Sequence, residues 1–312
     1  MTCKFLEVAM EKRVKPVITR KPNLRDPHMV CGISGWVDGG HSATGSVEYL
    51  QKRLKATRFA EIPLDRFHVY QVPGELSLRP QVKIENGILT GHSFPQSLFF
   101  YWTNPAAERD LILFSGTEPN LHWQEYADAI LDIVKEFAVS RIYLLGGVLD
   151  RNPHTREPNV SCSCSSQELK DEMQQYGVQF TSYEGPGRFG TTLLHICQQK
   201  KIPMVSLTSR ATYYPEYNIV IPRNPKAIRA ILKRLNTLLR LHLDFSALDT
   251  EVDEYEGKLA AVATRNPEFR SYIEKLESDY VEIKYEEPLE LSADEAVRIA
   301  EELLRKKDKD GT

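Results

Sequence analysis

No stretch of this 312-residue chain is apolar for long enough to cross a bilayer, so a membrane-spanning role is not expected. The opening MTCKFLEVAMEKRV has neither the apolar core nor the small-residue cleavage site of a secretory signal, and the expected location is the cytoplasm. Cysteine is scarce: five residues, an odd number in a chain this long, do not make a disulfide framework. Basic residues are scattered rather than interleaved with aromatics, which argues against a nucleic-acid partner. Also missing are a GxGxxG fingerprint, a Walker lysine, a nucleophile elbow and a paired set of metal ligands, so neither a cofactor nor a metal is expected. The one CxC, Cys162-Ser163-Cys164, has no second ligand pair and reads as two buried or half-buried thiols.

What is present is ordinary for a globular protein, with 41% hydrophobic and 27% charged residues. The length supports a substantial core with an appendage. A net charge of -3 hides an asymmetry: residues 246–312 carry 10 Lys/Arg against 19 Asp/Glu, whereas residues 1–245 carry 30 against 24. An acidic tail of this kind is either a solvated face or a segment that docks on a basic body or neighbour.

The chain is organised around residues 110–137. Leu111–Phe114 is too short an apolar run for a helix and reads as a buried strand. Ser115-Gly116 and Thr117-Glu118-Pro119-Asn120 break it, and Ala127, Ile130, Val134 and Phe137 then recur at helical spacing. Arg141–Leu145, closed by Gly146-Gly147, completes a strand–helix–strand crossover. Met29–Ile33 and Met204–Leu207 are further core strands, and Val178–Ser182 another. Ala43, Val47, Leu50 and Leu54 mark one flanking helix, Leu169, Met173 and Tyr176 a second, Leu193, Leu194 and Cys197 a third, and Ile228, Ile231, Leu235 and Leu238 a fourth. Between residues 61 and 102, Phe67–Tyr70, Gln81–Ile84, Ile88–Thr90 and Leu98–Trp102 read as a meander. Glu85-Asn86-Gly87 turns a hairpin within it, and the meander is expected to extend the sheet or cover one edge. Pro73-Gly74 and Arg79-Pro80 belong to a loop able to reach the same rim. The predicted fold is α/β, three layers with a mostly parallel sheet.

In such sheets ligands sit beyond the carboxyl ends of the strands, which puts Ser115–Asn120 and Gly146–Pro158 side by side and makes Glu118, Trp123, His154 and Arg156 candidate neighbours. The glycine-rich loop Gly32–Gly40 adds Trp36 and Asp38, and the loop Tyr183–Gly190 adds Arg188. Such a rim offers arginines for a phosphate or carboxylate, an aromatic to stack on a base, and a carboxylate or His to hold hydroxyls or move a proton. The competing reading is structural: glycines that let the backbone turn, His154 capping a carbonyl, and Arg156 paired with Glu157.

The fragments GISGWVDGG, SGTEPNLHW, NPHTREPNVSCSCSS, YEGPGRFG and RATYYPEYN, taken in this order, resemble the bacterial branch of the PAC2 family, related to the proteasome assembly chaperones. The resemblance spans roughly residues 25–245. It implies an α/β/α domain similar to the phosphorylase/hydrolase-like fold, a helical C-terminal extension, frequent homo-oligomers and no established enzymatic activity. Relatives act by binding proteasome subunits, some through a C-terminal hydrophobic-Tyr-X tail. This chain ends in Lys307-Asp308-Lys309-Asp310-Gly311-Thr312, without either anchor.

The expected organisation is therefore an N-terminal arm (1–27), a PAC2-like α/β domain (28–245) and an acidic helical extension (246–312). Three amphipathic stretches make up the extension: Leu248, Val252, Tyr255, Leu259 and Val262; Phe269, Ile273, Leu276 and Tyr280; and Ala296, Ile299 and Leu303 after a capping box at Ser292–Glu295. Every core strand precedes residue 246, so a chain cut there is expected to keep its sheet. Two functions follow from this reading. One is an oligomeric interaction or assembly factor with a protein partner. The alternative is a small-molecule enzyme, of nucleoside phosphorylase or hydrolase type, that takes a small anionic ligand at the rim. Fold alone does not choose a reaction.

Overall fold

Four apolar runs that are buried on both faces form the middle of the sheet, and this double burial is why they read as continuous rather than alternating. A computed structural model describes residues 13–71, 79–105, 107, 109–217, 219 and 222–285. In it the central strands are β2 (His28–Ser34), β7 (Leu111–Thr117), β8 (Arg141–Asp150) and β11 (Met204–Thr212), all mutually parallel. Antiparallel strands complete one side: β6 (Leu98–Trp102) beside β7, then β3 (Thr57–Glu61), then the two-residue β1 (Val17–Ile18). On the other side β9 (Val160–Cys164) runs antiparallel to β11, and β10 (Gln179–Phe180) pairs with β9. The nine-stranded order is β1-β3-β6-β7-β2-β8-β11-β9-β10.

Alternate side chains of the central strands feed two cores. Met29, Cys31 and Ile33 of β2 pack with α2 (Trp123–Glu136) and α4 (Phe189–Gln199). Val30 faces the other way, into the core formed by α1 (Ser42–Leu54), α3 (Gln167–Met173) and α5 (Pro225–Leu239). The α/β/α layering is as expected. Helix starts follow local chemistry: the Asn224 side chain accepts from Ala227 N–H, with Pro225 in the first turn, and Ser166 does the same for Leu169.

Three local readings are corrected. β8 does not stop at Gly146-Gly147 but runs on to Asp150, paired with β11 throughout. Phe67–Tyr70 is not a strand; Phe67 is buried against Tyr126, and its carbonyl accepts from Asn120 and Leu121. The hairpin β4 (Gln81–Glu85) and β5 (Ile88–Ser93) does not extend the main sheet; it forms a separate two-stranded ribbon. Pro73-Gly74 and the helical stretch expected over 292–304 lie outside the described residues.

Residues 13–27 run along the body, tied down by Arg13–Asp132, Lys21–Glu136 and the two-pronged Arg25–Asp110 pair. The tail helices α6 (Ser246–Arg265) and α7 (Pro267–Asp279) also lie on the body. Leu248 enters the α1/α5 core, while Tyr255, Leu259, Phe269 and Ile273 close a third core around Tyr214. Their charges meet basic partners on α5 and in the loop just before it: Arg223 with Glu251, Lys226 with Glu256, and Arg229 with Asp249. The described part of the acidic segment, residues 246–285, thus docks on its own basic body.

Candidate functional site

The carboxyl edge of the parallel strands is where a ligand is expected, and its loops are tightly bound to one another. β2 lies between β7 and β8, so the loop after β2 separates the two loops expected to be adjacent. At Gly35, φ is +144°, and a Cβ there would lie 2.4 Å from Glu118 Oε2, so only glycine fits. The same Oε2 accepts from Trp36 N–H at 3.0 Å, while Oε1 accepts from Phe189 N–H at 2.8 Å. One carboxylate therefore binds both the glycine-rich loop and the start of α4. Asp38 occupies the start of α1 in the same manner. Its Oδ1 accepts from Ala43 and Thr44 N–H at 2.8 and 3.1 Å, and its Oδ2 accepts from the Thr44 hydroxyl at 2.6 Å. A Cβ on Gly147 would fall 2.3 Å from the Gly39 carbonyl, which is why β8 needs glycine where this loop crosses it.

Arg188 completes the group. Its guanidinium donates to Ser206 Oγ at 3.1 Å and, at 3.5 Å, to the Leu145 carbonyl and Thr208 Oγ1. Burial pulls its pKa down to about 10, with the Glu118 and Asp38 charges acting against that shift, so it remains charged at neutral pH. Burial raises the Asp38 carboxyl, opposed by its hydrogen bonds from Thr44 and Ala43. The helix-terminal donors that would receive an external anion are thus occupied by the protein's own carboxylates.

Of the remaining candidates, Trp36 is 64% exposed. Trp123 is half-buried, donating from Nε1 to the Pro119 carbonyl at 2.7 Å and meeting Phe189 edge-on. Arg156 is exposed, and its neighbour Glu157 pairs with Arg229 rather than with it. His154 is buried beneath the tail. Its backbone N–H donates to the Tyr214 hydroxyl at 2.8 Å, and that hydroxyl lies 2.7 Å from Nδ1. The hydroxyl thus engages both the backbone and the ring of His154. Lys226 donates to the His154 carbonyl at 2.6 Å. The structure therefore gathers Asp38, Glu118 and Arg188 around the Trp36 backbone and places His154 in a separate, tail-covered group. Sequence reasoning missed Tyr214 and Lys226, which organise that second group.

Burial, then the Lys226 charge, holds the His154 pKa down to about 4. His28, between Arg109 and the Tyr143 ring, is held down to about 4 by burial first and by Arg109 and Arg141 next. Both imidazoles are neutral in the fold and take up protons on unfolding below an ordinary histidine value of about 6.5. Their stabilising effect is complete above that value and is lost as pH falls towards 4, up to about 3 kcal/mol for each. The urea midpoint is expected to fall steeply from pH 6.5 to 4.5. In His154→Gln the same pH step should cost less; an unchanged step would show that His154 is not titrating.

Beside the closed charges the rim also carries uncovered apolar side chains. Trp36, Val69, Leu121, Val148, Leu149 and Tyr213 are exposed along the loops and strand ends at that edge, and the hairpin that leaves from it exposes Val82, Ile84, Ile88 and Leu89, each by 59–67%. Alternation and the turn Asn86-Gly87 revealed the hairpin, but not that its apolar side chains would stay uncovered.

Layered cores, an edge closed by its own charges and C-terminal helices laid back on the body define the class: an α/β/α domain with a helical C-terminal part. The chain belongs to the PAC2 family, whose family model matches residues 32–263 and so reaches into α6. Among solved structures it resembles a PAC2 family protein from Streptomyces avermitilis, with 27% identity and TM-score 0.68 over 79% of this chain and 99% of that one. A proteasome-assembly chaperone homologue of Mycobacterium tuberculosis gives 26% identity and TM-score 0.68 over 78% and 99%. The archaeal proteasome activator PbaB of Pyrococcus furiosus gives 26% and 0.60 over 80% and 99%. Curated protein sequences give no significant match. Among the described residues no helix is long and apolar enough to cross a membrane.

Proposed function

We propose that the chain is a cytoplasmic interaction factor of assembly-chaperone type that works as a homo-oligomer and offers its apolar rim to other protein subunits. The observation that carries this is the hairpin. A two-stranded ribbon is marginal in water by itself, and this one exposes Val82, Ile84, Ile88 and Leu89 to solvent. Val82, Ile84 and Leu89 share one face of the ribbon, with Ile88 on the other, and exposed apolar surface of this kind marks protein contacts. The relatives named for proteasome assembly and activation support a multisubunit partner. The reading as an anion-binding enzyme has less support, because Glu118 and Asp38 already take the backbone donors of the glycine-rich loop and of α1 and α4. In this reading residues 28–245 and 246–285 act as one unit, since Asp249, Glu251 and Glu256 of the tail pair with Arg229, Arg223 and Lys226 of the body.

Light scattering across a concentration series is expected to give a multiple of 35.7 kDa. An Ile84→Asp, Ile88→Asp double variant should shift towards the single-chain mass and lose binding to purified proteasome subunits from the same organism. A single-chain mass for wild type at every concentration overturns the oligomer. Equal subunit binding by wild type and variant overturns the role of the rim.

A further inference from the structure

The CxC of β9 has no part in the rim. Alternate residues of a strand point to one face, so Cys162 and Cys164 lie side by side, their Sγ atoms 3.6 Å apart and both thiols free. Cys162 is buried against the α3 side of the core, whereas Cys164 is half-buried. Both line an open cavity of about 400 Å³, together with Ser166, Lys170, Phe180 and Gln198. The Lys170 ammonium sits 5.5 Å from the Phe180 ring centre, at that cavity. A small solute can therefore reach the outer thiol, while the inner one waits behind it.

We infer that Cys162 and Cys164 form a reversible dithiol site that reacts with small hydroperoxides, Cys164 attacking and Cys162 resolving. The Cys164 thiolate attacks one oxygen of the peroxide, the O–O bond breaks, and the alkoxide or hydroxide leaves and takes a proton. This gives a sulfenic acid at Cys164. The Cys162 sulfur then displaces the hydroxyl, forming the S–S bond and releasing water. Two thiols and one hydroperoxide become one disulfide, one alcohol or water, and one further water. The electrostatics agree with this division: the hydrogen bond from Cys162, then Arg141 and Lys170, lower the Cys164 thiol, while the same hydrogen bond and burial raise that of Cys162.

The strand also determines how long the product lasts. Residues two apart on a strand have Cα atoms about 6.6 Å apart, at the long end of the range a disulfide spans. β9 is held against β11 with Cys164 opposite Val205 and Cys162 opposite Leu207, so closing the bond strains that pairing. Strained disulfides are easily reduced. The site is therefore a switch on the penultimate strand of the sheet rather than a staple. Cys31 and Cys197, both buried, provide internal controls.

The test uses full-length protein in a Cys3→Ser background, hydrogen peroxide, thiol counting and peptide mass mapping. Expected results are loss of two thiols to a Cys162–Cys164 disulfide, recovery with dithiothreitol, and reaction about tenfold or more faster than at Cys31 or Cys197. Cys162→Ser should leave a sulfenic acid that dimedone traps at Cys164, and Cys164→Ser should abolish the fast phase. A fast phase that survives in Cys164→Ser, a wild-type chain that gives dimedone adduct without disulfide, or reactivity no greater than that of Cys31 overturns the inference.

Discussion

A chain ending at Phe245 is expected to be insoluble or to melt about 10–20 °C below the full-length protein, a drop corresponding to a loss of roughly 5 kcal/mol in a domain of this size. The tail is not an appendage to a finished body. Leu248, Val252, Tyr255, Leu259, Phe269 and Ile273 are all buried, and burial of such side chains stabilises by about 1.5–3 kcal/mol each before the entropy of ordering the helices is subtracted. Removing them uncovers Tyr214, which packs edge-on against Phe269, and takes Glu256 from the buried Lys226 ammonium. A buried cation without its partner is among the costlier defects a fold can carry. Phe269→Ala in the intact chain provides the graded version, with an expected loss of about 3–5 kcal/mol in a urea titration. A chain cut at 245 with the full-length melting midpoint would restore the expectation that the sheet stands without its tail.

That expectation shows where sequence reasoning reaches and where it stops. The strands at Met29, Leu111, Arg141 and Met204 were legible because central parallel strands are buried on both faces and leave unbroken apolar runs. The tail stripes were legible as amphipathic helices, but periodicity says only that a face is covered and not by what. Here the covering surface is Tyr214, Tyr217 and Ile219 of the body. Gly146-Gly147 read as a strand end, yet β8 continues through it because the second glycine is needed for a loop to cross above. β1 and β3 are short strands at one side of the sheet with exposed residues and left little apolar signal. Glu118, Asp38 and Arg188 lie at one edge, whereas His154, though it follows the neighbouring β8, is drawn under the tail by partners that local sequence does not reveal. Its partners Tyr214 and Lys226 are 60 and 72 residues away in the chain.

Arg188→Ala is expected to cost about 3–5 kcal/mol, the usual consequence of removing one member of a buried charged group. Without the guanidinium, the Glu118 and Asp38 carboxylates lose the cation that offsets them, and Ser206 loses its hydrogen-bond donor. Arg188→Lys should recover little, because one ammonium cannot donate to the Leu145 carbonyl, Ser206 and Thr208 in the planar arrangement that Arg188 uses. Glu118→Ala separates stabilising chemistry from ligand chemistry. It leaves Trp36 N–H and Phe189 N–H without their acceptor and the Arg188 charge without one of the two carboxylates that act on it, which is an anion site newly emptied. Acetate or formate is therefore expected to raise the melting midpoint of Glu118→Ala by several degrees while leaving wild type unchanged, as binding to the native state alone requires. If instead wild type is stabilised by phosphate or a nucleotide and Arg188→Ala unfolds at the wild-type urea midpoint, the edge is a ligand site rather than a closed latch, and the enzyme reading regains its ground.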